Sequence, residues 1–213
     1  AERNGVEMYD VYTGFKWIAN VMRENEGKKN YIGGGEESYG FLCEDFVRDK
    51  DAVSACVILA EIAAWAKDQG LSLYQLLQKI YVEYGFSKEK GISVVKKGKS
   101  GAEEIEAMMK KFRENPLTEI AGSKVTYFYD YSTLKGKDYA ENETVTLDMP
   151  TTSNVLQYFT EDNTKVSIRP SGTEPKIKFY CEVHSKVKSI DELPEAEKAA
   201  EEKINQIKAS LGI

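Results

Sequence analysis

The segment Arg169-Pro170-Ser171-Gly172-Thr173-Glu174-Pro175-Lys176 lies between two strand-like runs and has the parts of an anion-binding loop. An arginine offers a permanently charged, forked donor that matches phosphate oxygens two at a time. Ser171 and Thr173 add hydroxyl donors, and Gly172 lets backbone N–H groups approach an oxyanion closely. The two prolines stiffen the loop, so less chain entropy is lost when a ligand orders it. A Pro/Gly hairpin loop that merely contains an arginine has the same composition, and such loops are common.

A second cluster is Gly35-Glu36-Glu37-Ser38-Tyr39-Gly40, after a glycine run at 33–35. A carboxylate beside a hydroxyl suits sugar hydroxyl groups, because Glu36 accepts and Ser38 donates or accepts. A solvated turn at a strand end accounts for the same residues. A third cluster, Arg48-Asp49-Lys50-Asp51, opens a helix. Aspartate there is ordinary capping, and the functional reading has Lys50 reaching an anion near that helix N-terminus.

Helices and strands must position these loops. Trp17, Ile18, Val21 and Met22 recur at helical spacing, with Thr13 as the expected cap and an end near Gly27. Tyr31-Ile32 reads as a short strand leading into the glycines. From Asp51 to about Asp68 the chain is apolar on nearly every side, which predicts a buried helix with Cys56 as core filler. Ser72 and Gln75 form a capping box for a helix through about Tyr84.

Beyond residue 85 the character changes. A strand is predicted at Ile92–Val95, and Ser100 with Glu103 is expected to cap a helix carrying Ile105, Met108, Met109 and Phe112. Strands follow at Val125–Tyr131, Val155–Phe159 and Lys165–Ile168, with polar loop expected over 135–150. Ile177, Phe179, Cys181 and Val183 alternate with polar residues, the mark of a half-buried strand, and His184 at its end reads as a surface residue. A last helix carries Ala196, Ala200, Ile204, Ile207 and Leu211. The fold class is α/β plus α+β: a partial α/β/α layered domain over 1–84, then over 85–213 a mainly antiparallel sheet covered by two helices.

Composition narrows the function. The 213 residues include 35 acidic and 29 basic side chains, and no long basic run, which argues against nucleic acid or an anionic membrane as the main partner. No apolar run reaches the roughly 20 residues of a membrane span and no signal segment opens the chain, so the expected location is cytoplasmic. Three widely spaced cysteines fit reduced thiols. A single histidine nearly excludes a site with several histidine ligands or a Ser/His/Asp triad within this chain. The chain starts at Ala1 without Met and reads as if entered in mid-protein.

Thr13-Gly14-Phe15-Lys16-Trp17, the Gly-Glu-Glu-Ser-Tyr-Gly loop, Arg48-Asp49-Lys50-Asp51 and the Arg-Pro-Ser-Gly-Thr-Glu-Pro loop, in this order, resemble the α-D-phosphohexomutase superfamily. The resemblance is nearest to its phosphoglucomutase/phosphomannomutase branch and covers essentially the whole chain, as the C-terminal half of such an enzyme. Four domains surround one cleft in that family. The resemblance implies most of domain 3 at 1–84, with Glu36 and Ser38 contacting the sugar, and all of domain 4 at 85–213. Its implied phosphate contacts are Arg169, Ser171, Gly172, Thr173 and, from the Arg-Asp-Lys-Asp match, Lys50.

The resemblance further implies a phosphoryl-transfer isomerase. A phosphoserine in a Thr-Ala-Ser-His-Asn-Pro type loop exchanges phosphate with hexose 1- or 6-phosphate through a 1,6-bisphosphate, and Mg²⁺ sits in an Asp-Gly-Asp-Gly-Asp type loop. Neither loop occurs in this sequence. The expectation is therefore a chain with no catalytic or metal-binding residue of its own, inactive alone, whose partners are a hexose phosphate and the missing N-terminal domains. The Glu-Glu-Ser-aromatic-Gly pattern looks more like glucose-preferring members. A stand-alone, non-catalytic sugar-phosphate-binding module is the alternative.

Overall fold

The computed structural model describes every residue except Glu37, Lys97 and Thr173, and only the backbone of Lys99. The chain divides into two compact units, Ala1–Leu76 and Leu77–Ile213. The division falls inside a helix, because Tyr81 and Val82 pack on the core of the second unit and Tyr81 stacks edge-on against Phe86 at 5.1 Å.

The first unit holds helix α1 (Phe15–Glu24), strands β1 (Gly33–Gly35) and β2 (Phe41–Cys43), and helix α2 (Ala52–Asp68). Gly14, not Thr13, is the N-cap of α1, with no side-chain cap hydrogen bond. The first strand is the glycine run itself, pairing antiparallel with β2, and not Tyr31-Ile32. Asp51 caps α2 by accepting from the Ser54 N–H at 2.8 Å. The buried apolar residues of this unit are Phe15, Met22, Leu42 and Ala66.

The expectation of a buried α2 is wrong. Val53, Val57, Leu59, Ile62 and Trp65 are exposed, and so is Cys56. The reason is the size of the sheet. Two strands of three residues each cannot cover a 17-residue helix, so its apolar sides face solvent. Few buried side chains at roughly 1.5–3 kcal/mol each oppose ordering costs of about 1–2 kcal/mol for every residue fixed. Native-state hydrogen exchange is therefore expected to find α2 amides exchanging far faster than those of the second unit's central strands. Equal protection in both would overturn this reading.

The helix α3 (Leu73–Tyr84) bears the expected capping box: the Ser72 N–H donates to Gln75 Oε1 at 2.8 Å, and the Gln75 N–H to Ser72 Oγ at 3.2 Å. The second unit continues with β3 (Phe86–Val95), α4 (Gly98–Glu114), β4 (Glu119–Ile120), β5 (Ser123–Asp130), β6 (Lys135–Asp138), β7 (Glu143–Thr146), β8 (Leu156–Thr160), β9 (Lys165–Pro170), β10 (Lys176–Ser185) and α5 (Leu193–Leu211). The sheet order is β3-β10-β9-β8-β5-β6-β7, with β4 paired to β5, and adjacent strands run antiparallel. The β6–β7 hairpin replaces the loop expected over 135–150. Apart from Gly136 and Val145 its residues are polar, so no apolar alternation marks them.

The α4 helix begins two residues before Ser100, so the predicted Ser100–Glu103 box does not form its cap. Its Ile105, Met109 and Phe112 join Ile177, Phe179, Cys181 and Val183 of β10 and Ala200, Ile204 and Ile207 of α5 in one core on one face of the sheet. Burial pushes the Cys181 thiol up to about 11, which leaves it a protonated core residue. Asp130, also buried, accepts from Arg113 Nε at 2.9 Å and from the N–H and hydroxyl of Ser132 at 3.0 and 2.7 Å.

Candidate functional site

Alternation decides what the link from β9 to β10 presents. Val166 and Ile168 point into the core, so Arg169, one residue before the end of β9, lies on the opposite side of its strand from Ile168. Beyond it, the Ser171 N–H donates to the Lys176 carbonyl at 2.7 Å and the Glu174 N–H to Ser171 Oγ at 3.3 Å, which closes the loop on itself. The Lys96 N–H donates to the Pro175 carbonyl at 2.9 Å, tying the loop to the end of β3. An open pocket of about 360 Å³ is lined by Ser171, Gly172, Glu174 and Pro175 of the loop and by Gly98 and Ala102 of α4. Thr173, the remaining phosphate-binding expectation of this loop, lies outside the described residues.

Two observations bear on what the loop holds. First, register puts Lys178 of β10 directly opposite Arg169. Like charges opposite each other across a ladder destabilise it, and among the described residues neither cation forms an ion pair with a carboxylate. Lys176 does, with Glu174 at 2.9 Å, and that ammonium, helped by the charge of Lys178, holds the Glu174 carboxyl below its usual range. Second, the Gly172 backbone is not left-handed, and a Cβ added there would meet nothing within 4 Å. Neither backbone geometry nor packing asks for glycine at this position, and the space beside it is free.

Sequence reasoning did not select Lys178. Its outward alternation was visible, but its pairing with Arg169 is a fact of register that joins residues across a turn.

In the first unit the β1–β2 turn is closed by the Glu36 N–H donating to the Gly40 carbonyl at 2.8 Å. Gly40 is the point where two predicted residues meet. A Cβ there would lie 2.8 Å from Glu36 Oε2 and 2.9 Å from Lys50 Cδ, so a larger residue would push the ends of these two flexible side chains aside. The Lys50 ammonium is half-exposed, 3.1 Å from Asp49 Oδ1 and 5.9 Å from the Phe15 ring centroid. With the Lys50 N–H it holds the Asp49 carboxyl below its usual range. Ser38 is exposed on the same turn. The structure thus groups Glu36, Ser38 and Lys50 at one turn, and Arg169, Ser171 and Gly172 at another.

His184 is a surface residue, its Nε2 2.8 Å from Glu182 Oε1. Among the described residues, no group of three or more His, Cys, Asp or Glu side chains is placed to hold a metal ion. The Mg²⁺ implied by the resemblance therefore finds no fitting donor set in them. Among the described residues no helix is long and apolar enough to cross a membrane.

Known proteins match this chain over both of its halves. Residues 1–84 match the family model described as phosphoglucomutase/phosphomannomutase, alpha/beta/alpha domain III, and residues 93–200 match the model of the phosphoglucomutase/phosphomannomutase C-terminal domain. A phosphoglucomutase of Staphylococcus haemolyticus (strain JCSC1435) is 37% identical over 184 residues, covering 86% of this chain and 33% of its own length. A phosphoglucomutase of Staphylococcus aureus (strain bovine RF122 / ET3-1) is 41% identical over 180 residues, covering 84% of this chain and 32% of its own length. The chain thus spans about a third of these relatives. A crystal structure of the exocytosis-sensitive phosphoprotein pp63/parafusin from Paramecium, in an open form, aligns with all of this chain and 36% of its own at a TM-score of 0.57 and 18% identity, a likeness of fold.

Proposed function

The chain belongs to the phosphoglucomutase/phosphomannomutase family, and from that premise we propose that it supplies substrate recognition to a phosphohexomutase that interconverts hexose 1-phosphate and hexose 6-phosphate. In this reading residues 1–84 are the sugar-binding domain and residues 85–213 the phosphate-binding domain. Glu36 accepts from sugar hydroxyls and Ser38 bonds alongside it. Lys50 contributes charge at the same turn. Arg169 forks onto the phosphate, Lys178 adds a second charge beside it, Ser171 donates its hydroxyl, and Gly172 with Thr173 completes the loop.

The observation that carries this reading is the pair of cross-strand cations, Arg169 and Lys178, at the mouth of a loop whose glycine the fold does not require. A phosphate dianion between two cations converts their repulsion into attraction and gains charge-assisted hydrogen bonds.

The reaction divides its labour accordingly. The 1,6-bisphosphate intermediate must be held in two orientations, so the phosphate that is not reacting needs a grip independent of which carbon carries it. An arginine fork and a hydroxyl-lined loop recognise the phosphate alone and meet that need. Binding energy from such remote groups positions the reacting end near the phosphoserine. The serine nucleophile and the Mg²⁺ loop belong, in this proposal, to N-terminal domains that precede this segment in the longer protein. There Mg²⁺ would stabilise charge on the transferring phosphoryl group. The enzyme works in the cytoplasm on carbohydrate phosphates.

Titration calorimetry of the chain with glucose 6-phosphate tests the proposal. Saturable binding that inorganic phosphate displaces is expected, with no glucose 1-phosphate formed in a coupled assay supplied with glucose 1,6-bisphosphate. Turnover by this chain alone would overturn the division of labour. Binding indifferent to inorganic phosphate would overturn the recognition role.

A further inference from the structure

Tyr39 sits at the tip of the β1–β2 turn with φ +71° and is 99% exposed. Both facts work against the fold. A left-handed backbone is rare for a bulky side chain, where glycine or asparagine would sit without strain. An aromatic ring wholly in water gains nothing from packing. The turn is fixed nonetheless, because the Glu36 N–H to Gly40 carbonyl bond closes it around Tyr39. The neighbouring residues of the turn bring the Glu36 carboxylate, which with the Lys50 stem lies over Gly40, and the Ser38 hydroxyl, next to Tyr39 in sequence. They supply acceptor, donor and charge. Among the described residues from Glu36 to Gly40 the ring is the large apolar group, and Phe41, the first residue of β2, is 38% exposed.

Resting on the recognition role proposed above, we infer that Tyr39 is a specificity-determining residue, whose ring stacks on the C–H face of the bound pyranose while Glu36 and Ser38 take hydroxyls at its rim. A pyranose is amphipathic in this sense: hydroxyls project around its edge and C–H bonds line its faces. An amphipathic aromatic ring covers such a face and excludes water from the adjoining hydrogen bonds. The left-handed backbone carries the ring out from the turn. A phosphate ion has no such face, so Tyr39 discriminates phosphosugars from phosphate itself.

The test titrates the full 213-residue chain and its Tyr39→Ala, Tyr39→Phe and Tyr39→Gly variants with glucose 6-phosphate and, separately, with inorganic phosphate. Tyr39→Ala is expected to weaken glucose 6-phosphate about two- to tenfold and to leave inorganic phosphate unchanged. Phe keeps the ring and restores wild-type affinity. Gly removes both ring and strain, so it binds like the Ala variant. Equal glucose 6-phosphate affinity in wild type and Tyr39→Ala overturns the stacking role and leaves the recognition reading standing. An equal loss for both ligands overturns it too, since the ring would then act through the shape of the turn. A wild-type chain that binds glucose 6-phosphate no better than inorganic phosphate overturns the sugar-binding reading and the stacking role with it.

Discussion

Arg169→Ala is expected to weaken binding of inorganic phosphate and of glucose 6-phosphate by about ten- to 150-fold, the value of about 1.5–3 kcal/mol for a hydrogen bond to a charged group. The same substitution is expected to leave thermal stability unchanged or slightly raised. Arg169 has no carboxylate partner among the described residues and faces Lys178 across the ladder, so its removal relieves repulsion in the unliganded protein. Loss of affinity and gain of stability then have opposite signs. A structural arginine would show losses in both. Arg169→Lys separates charge from geometry: it keeps the charge and loses the planar fork, and recovers part of the affinity. Calorimetric titration with parallel thermal melts reads all of these, and unchanged phosphate affinity in Arg169→Ala would remove this loop from the site.

Asp130→Ala is expected to cost about 3 kcal/mol of stability, the low end of the range for removing one partner of a buried ion pair. The carboxylate is 9% exposed, whereas Arg113 is 30% exposed and rehydrates in part when abandoned. Arg113 also donates to Asn154 Oδ1 at 2.8 Å, and Ser132 loses two acceptor contacts, so the damage spreads beyond one bond. Cooperative melting of a domain this size should fall by roughly 6–12 °C. Phosphate binding by the intact fraction should persist, because Asp130 is on β5, two strands removed from β9 in the sheet order. A loss under about 1 kcal/mol in a denaturant titration contradicts the buried-pair reading.

The two predictions differ because they concern different kinds of polar residue. Asp130 is paid for by its partners in the folded state, and Arg169 has no carboxylate partner among the described residues. That contrast was not legible from composition, since both are single charges in strand-like sequence. Chain alternation placed Asp130 inward with Phe128 and Arg169 outward near the end of β9, but what each meets comes from elsewhere: Asp130 pairs with Arg113 on α4, and Arg169 faces the like charge of Lys178 on β10.

Local signals governed where local physics decides. The capping box of α3, the Asp51 cap of α2, the alternation of β10 and the apolar spacing of α5 all appear as the sequence predicts, because each depends on residues within one turn or one strand. The expectations that failed depended on something farther away. A helix apolar on every side predicts burial only if something is there to bury it, and the short β1–β2 sheet does not suffice. The β6–β7 hairpin shows the converse: polar residues form strands where a neighbouring edge, here β5, offers backbone partners.

The sequence by itself determined the family and the order of the two loops proposed for recognition, since short motifs carry their chemistry in residue type and spacing. Only the tertiary structure decided that Lys178 faces Arg169, that Glu36 and Lys50 close over Gly40, and that Tyr39 stands clear of the fold. Those are facts of register and of close approach, set by hydrogen bonds between segments distant in sequence, and no single segment encodes them.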